Sequence, residues 1–184
     1  MLRLVLSCAL LYYAIAIVNG QQSAAKIVIK EVDYLIYFPK GYEQADEKWP
    51  LLIFLHGGGE TGTDVEKLKV TGLPKHIEEG HQFPMIIVSP QERRVGPGWD
   101  ISTLYDFYEK IVDEYPVDRD RVYLTGLSMG GFGTWNFAMA FPELFAAIIP
   151  ICGGTHMPEY IRRLKRVPVW CFHGDEDAVV PIVE

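Results

Sequence analysis

Ser128 stands at the centre of Gly126-Leu127-Ser128-Met129-Gly130, directly after the apolar run Arg121-Val122-Tyr123-Leu124-Thr125. A serine hydroxyl becomes a nucleophile when a sharp strand-to-helix turn lifts it clear of the backbone, where a base can reach its proton. Such a turn closes only if the places two residues either side carry no Cβ, and both are glycine here. Gly131 and Gly133 follow at the start of a segment with helical character, allowing that helix to pack closely on a sheet. Strand before, helix after and glycines between make Ser128 a candidate nucleophile for acyl transfer.

Three further clusters carry matching chemistry. His56-Gly57-Gly58-Gly59-Glu60 follows the apolar run Leu51 to Leu55. Glycines there let the backbone approach an acyl group, so the N–H of Gly58, with the N–H of Met129 beside the nucleophile, can hold an oxyanion. The plainer reading is that Gly57 to Gly59 only make a tight turn. His56 itself reads as structural, its ring bonding nearby backbone. The segment Phe172 to Pro181 has the spacing H-G-x-x-D-x-x-V-P, which singles out Asp177 as the carboxylate that orients a catalytic base. Asp175 and Glu176 read as turn or surface residues. Last, Trp99 in Gly98-Trp99-Asp100 can serve as an aromatic wall of the substrate pocket or as a packing residue.

All of these clusters require strand ends on one side of a sheet. The runs Pro50 to Leu55, Met85 to Val88, Val122 to Thr125, Ala147 to Ile151 and Val167 to Phe172 are apolar throughout, as in strands buried on both faces. Lys26 to Phe38 is β-rich and leads into the turn Pro39-Lys40-Gly41. Between them, Ile101, Leu104, Tyr105, Tyr108, Ile111, Val112 and Tyr115 form one face of a helix capped by Asp100 and stopped by Pro116. A second helix is expected from Met129 to about Phe141, and a short one from Pro158. Strands alternating with helices predict an α/β fold: a mostly parallel, doubly wound sheet with ligands at the carboxyl ends of its strands.

With 184 residues the chain suits one domain. Its net charge of −7, without a Lys/Arg stripe or tail, argues against nucleic acid as a partner. Residues 1–20 differ from the rest. Arg3 precedes an apolar run from Leu4 to Val18, and the polar stretch Asn19-Gly20-Gln21-Gln22 follows, as in a secretory signal peptide cleaved near Gly20. The run is shorter than the ~20 residues that usually span a bilayer, so no membrane association is expected after cleavage. The domain is then 21–184, in a secreted (extracellular or periplasmic) protein. Cys152 and Cys171 remain after cleavage and are expected as buried free thiols. Neither has metal-ligand spacing, and no metal or organic cofactor is expected.

Taken together, His56-Gly57-Gly58-Gly59, Gly126 to Gly131, Pro150-Ile151-Cys152-Gly153-Gly154 and His173-Gly174 with Asp177 and Val180-Pro181 resemble the α/β-hydrolase superfamily. More closely, the chain from Lys26 onward is similar to secreted carboxylesterases grouped with phospholipase/carboxylesterase, feruloyl esterase and dienelactone hydrolase relatives. The resemblance implies a triad in the order Ser, Asp, His, an acyl-enzyme on Ser128, and a soluble or polysaccharide-linked ester of feruloyl or acetyl type as substrate. The short connection between Cys152 and Val167, where many relatives carry a helical lid, suits such an open site.

One departure from the family pattern stands out. The family's histidine lies a few tens of residues beyond the acid, and here seven residues follow Asp177. None of His56, His76, His81, His156 or His173 occupies that position. The expectation is a domain incomplete at its C-terminus, lacking the last strand and helix. It would be inactive or nearly so as it stands, with Val167 to Phe172 as an exposed apolar edge. A serine peptidase of the prolyl-oligopeptidase type and a non-catalytic hydrolase-like binding protein are the alternatives.

Overall fold

The computed structural model describes residues 22–27, 32–44, 47–94, 96 and 98–182. The expected signal peptide, residues 1–20, lies outside them.

The β-rich stretch around Lys26 to Phe38 divides into two strands, β1 (Gln22–Ile27) and β2 (Val32–Tyr37), paired antiparallel. The apolar runs become β3 (Trp49–Leu55), β4 (Ile86–Pro90), β5 (Val117–Leu127) and β6 (Ala147–Ile151). They assemble as one sheet in the order β1-β2-β4-β3-β5-β6, in which β3, β4, β5 and β6 are mutually parallel, β2 runs against them, and β1, antiparallel to β2, runs in their direction again. On the central β3, Leu51, Ile53 and Leu55 are wholly buried on one face and Phe54 is buried on the other, with Leu52 half-buried, so the strand is covered on both faces.

Helices cover the sheet. Following the short α1 (Gly72–Glu78), α2 (Ile101–Glu114) turns Leu104, Tyr108, Ile111 and Val112 inward as expected, adds Phe107 to the buried stripe, and leaves Ile101, Tyr105 and Tyr115 half-buried at its edge. Asp100 caps it by accepting the Thr103 N–H at 2.9 Å. At the other end Tyr115 is extended (φ −115, ψ 153), because the residue before a proline is pushed out of the helical region. α3 (Met129–Ala140) lies against the sheet with Phe137 and Ala138 fully buried, and Phe137 packs edge-on with Phe141 and Phe145. Each fully buried side chain of the Phe137 or Ile111 kind contributes about 1.5–3 kcal/mol, so the core, rather than the site, carries the fold.

The expected strand Val167 to Phe172 forms only in part. It bonds to β6 through Trp170 N–H to Ile148 O (3.0 Å) and Phe172 N–H to Pro150 O (3.1 Å), with parallel bridges at Val169 and Phe172. No described residue pairs with its other side. Val169, Trp170 and Phe172 are 40, 66 and 42 % exposed as a result, and the Trp170 and Phe172 rings meet at a tilt of 43° with centroids 4.8 Å apart. The same open edge corrects the expectation for the cysteines: both are free, but Cys171 is exposed and Cys152 half-buried. The segment from Pro158 to Leu164 is helical as expected, in 3-10 form.

Candidate active site

Leu55 and Gly126 pair in the register of β3 and β5, so the two strands release their loops side by side. One loop is His56-Gly57-Gly58-Gly59, the other Leu127-Ser128. Ser128 has φ 56 and ψ −115, a conformation that L side chains rarely adopt and that costs on the order of 1–3 kcal/mol. The turn is held by its neighbours. The Ser128 N–H donates to Ile151 O of β6 at 2.9 Å, and the Ser128 carbonyl accepts the Phe132 N–H at 3.0 Å.

The flanking glycines are required by close approach. A Cβ on Gly126 would lie 2.3 Å from Gly130 O, and one on Gly130 would lie 1.9 Å from Leu55 O. α3 therefore starts almost in contact with the backbone of β3, and only that proximity lets β5 turn straight into the helix.

Gly57 sits directly over this turn: the Cβ position of Gly57 is 3.5 Å from Leu127 O and 3.8 Å from Ser128 Cβ. From Gly58 the chain enters a 3-10 turn, Gly58–Glu60. N–H groups at the start of a helix have no acceptor within it, and this holds for Gly58 and for Met129, the first residue of α3. The two residues expected to supply oxyanion donors thus each stand at a helix start, one on the glycine loop and one directly after Ser128.

His56 is fixed in place, as its sequence context implied. Its Nε2 accepts the Glu92 N–H at 2.9 Å, which leaves the ring proton on Nδ1, donating to Gly57 O at 2.5 Å. Burial pushes the pKa of the ring down, and the Gly57 carbonyl and the carboxylates of Glu60 and Glu92 only partly offset this. His56 is therefore a neutral, fully engaged structural ring.

Two carboxylates and an amide near this ring were not identified from sequence. Glu60 is 8 % exposed and brings Oε2 to 3.9 Å from His56 Nδ1. Gln91 donates from Nε2 to the carbonyls of Glu60 (2.8 Å) and Asp64 (2.9 Å), tying down the glycine loop. Glu92, equally buried, is pushed up by burial. Bonds from the Arg94 guanidinium, the Arg94 N–H and the Asp100 N–H outweigh that and hold its carboxyl below the ordinary range. Polar residues straight after an apolar strand, as in Ser89-Pro90-Gln91-Glu92, were the signal available for them.

Trp99 packs against the glycine loop and the start of α3. Its indole N–H donates to His56 O at 3.4 Å, its ring meets the His56 imidazole edge-on at 4.8 Å, and Cδ1 fills the place of the absent Gly133 Cβ. It also lines a hollow with Met129, the residue after Ser128, and with Phe132, Asn136 and His156.

Asp177 follows the β6-side edge. Its Oδ1 accepts the N–H groups of Val179 and Val180, each at 2.9 Å, and Oδ2 lies 3.8 Å from His173 Nε2. The Val180 and Val179 amides, with a smaller contribution from His173, hold its carboxyl below the usual range, so it is ionised at neutral pH. The histidines are engaged elsewhere. His173 Nε2 bonds to Val180 O at 2.7 Å, His156 stacks on Phe132 at 5.3 Å, and His76 and His81 are exposed near the end of α1. Among the described residues no histidine hydrogen-bonds the Ser128 hydroxyl.

A mostly parallel sheet with a strained serine between its fifth strand and the following helix defines the α/β-hydrolase fold, and esterases of that type are the proteins this chain is similar to. It shares 30 % identity over 152 residues with an endo-1,4-β-xylanase/feruloyl esterase of Xylanibacter ruminicola, covering 72 % of this chain and 21 % of that protein. Identity is 32 % over 137 residues with a bifunctional acetylxylan esterase/xylanase of Neocallimastix patriciarum, covering 71 % and 20 %. Among solved structures, a thermostable esterase superposes with TM-score 0.70 and 34 % identity, covering 90 % of this chain and 49 % of that one. The chain thus spans about a fifth of the length of these two curated relatives and about half of the solved esterase. No protein-family model matches it.

Proposed function

We propose that this chain carries the nucleophile of a secreted serine carboxylic ester hydrolase. The single observation that supports this most is the backbone of Ser128, held at φ 56 between β5 and α3 with the Gly57 loop packed over it. Strain of this kind persists only where the surroundings over-determine it, and here Ile151 of β6, Phe132 of α3 and the Gly57 loop all bear on the turn.

In the proposed reaction a base takes the proton of Ser128 Oγ, which attacks the ester carbonyl carbon. The Gly58 and Met129 N–H groups stabilise the oxyanion, and the alcohol leaves with the proton. Water then attacks the acyl-enzyme by the reverse proton route and releases the acid. Asp177 is the carboxylate that orients the base. The base itself is proposed to be a histidine following Asp177 in the family's Ser, Asp, His order. No step requires a metal or an organic cofactor.

The relatives named as feruloyl and acetylxylan esterases support esters decorating a polysaccharide as the substrate class. Trp99 and Phe132, at the hollow beside Met129, are proposed to contact the acyl or alcohol group.

A fluorophosphonate probe tests the reading on the naturally secreted protein. One adduct on Ser128, abolished in Ser128→Ala, together with release of acetate or ferulate from decorated xylan, is the expected result. Absence of any adduct on a folded protein overturns it in favour of a binding protein on a hydrolase frame.

A further inference from the structure

At the end of α1 the chain brings two imidazoles and a carboxylate together on the surface. His76 and Glu79 are three residues apart and so share a helix face, with His76 Nδ1 at 3.3 Å from Glu79 Oε2. Gly80, at φ +90, then reverses the chain. Its N–H donates to Ile77 O at 2.9 Å, and the His81 N–H returns to His76 O at 3.0 Å. These two backbone bonds bring the His81 ring edge-on to the His76 ring, with centroids 5.4 Å apart at 85°. One ligand atom from each of the three residues lies within 4.8 Å of the other two.

We propose that His76, Glu79 and His81 form a surface site for a divalent cation of the zinc class. In tetrahedral zinc, bonds of about 2.0–2.1 Å set the donor atoms roughly 3.3 Å apart. Each pair here needs to close by at most about 1.5 Å on that geometry, which rotations of three exposed side chains supply. Two imidazole nitrogens with one carboxylate oxygen are a donor set suited to zinc rather than to calcium or magnesium, which take oxygen ligands. The fourth position is open to water. Lys75 opposes binding: its Nζ is 3.7 Å from Glu79 Oε1, the oxygen turned away from His76.

The site is independent of the esterase reading, since none of its residues belongs to the elbow, the glycine loop or the Asp177 loop. Its effect is local, stapling the end of α1 to the turn that follows.

Isothermal titration of zinc chloride into the purified full chain tests it, with cobalt(II) absorption as the report of ligand geometry. The expected result is one equivalent bound and a tetrahedral cobalt spectrum. His76→Ala and His81→Ala are each expected to weaken binding at least about tenfold, as loss of a direct ligand does. Lys75→Ala is expected to tighten it, and zinc to raise the melting temperature of the wild type but not of the His76→Ala/His81→Ala double variant. Circular dichroism confirms that the variants are folded; Glu79→Gln, which keeps shape and removes charge, provides a further folded comparison. Absence of binding, or equal binding by the folded double variant, overturns the proposal.

Discussion

The imidazole of His56, on the loop leaving β3, accepts the backbone N–H of Glu92, on the loop leaving β4, at 2.9 Å. Through this bond β4 sets the position of the glycine loop that packs over Ser128. The carbonyl of Gly57 takes the ring's other nitrogen, so the loop cannot shift without breaking a buried hydrogen bond. Replacing His56 by Ala leaves the Glu92 N–H without its partner and is expected to cost about 1–3 kcal/mol, read from urea unfolding.

The same ring predicts a pH dependence. Its native pKa is lowered by burial, whereas in the unfolded chain it titrates near its ordinary value of about 6.5. Between the lowered native value and the unfolded one, the unfolded state binds more protons, so stability rises with pH and acidification erodes it. Urea midpoints at pH 7.5 and 5.5 should therefore drop further for the wild type than for His56→Gln. Equal drops would remove His56 from the explanation.

Ser128→Gly should separate chemistry from folding. Glycine adopts φ 56 without a Cβ penalty, so the variant is expected to be more stable by about 1 kcal/mol while losing all fluorophosphonate labelling. A melting temperature below that of the wild type would contradict the strain assigned to this turn.

Gly130→Ala is the opposite case. With Leu55 O only 1.9 Å from the added methyl, and Leu55 C at 2.5 Å, backbone must move. A loss above roughly 4 kcal/mol is expected, seen as insoluble expression or a grossly lowered melting point.

Asp177→Asn keeps an oxygen to accept the Val179 and Val180 amides, so its loop should persist with an unchanged melting temperature. In the proposed reaction, ester turnover should nevertheless fall by about 10⁴, since the amide cannot stabilise an imidazolium. Asp177→Ala, which removes both functions, should also loosen the loop. Limited proteolysis distinguishes the two variants.

Much of this arrangement was legible in local sequence, and the reasons are physical. The cap at Asp100, the stop at Pro116 and the stripe from Leu104 to Val112 depend on near neighbours, and α2 follows them closely. The elbow was legible because strain, glycine and a strand-helix switch all act within five residues. What could not be read are bonds between distant loops. Gln91 reaches Glu60 and Asp64, and Glu92 reaches His56, across separations of 27 to 36 residues that no periodicity encodes. α1 carries only seven residues and starts at a glycine, too short for a helical period to stand out. The Val167 to Phe172 run was readable as β-like from its residues. Its incomplete pairing depends on the absence of a described partner along its outer side, a property of the sheet rather than of the run.

The near-contact of α3 with β3 divides this region by mutational tolerance. In a library of every single substitution sorted for soluble expression, positions 126 and 130 should be as depleted as the deepest core residues, although neither bears a functional group. Position 128 should pass the same sort largely undisturbed. Sorted instead for probe labelling, all three should vanish. Comparing the two sorts position by position would separate residues that shape the turn from the residue proposed to react, without a crystal of any variant.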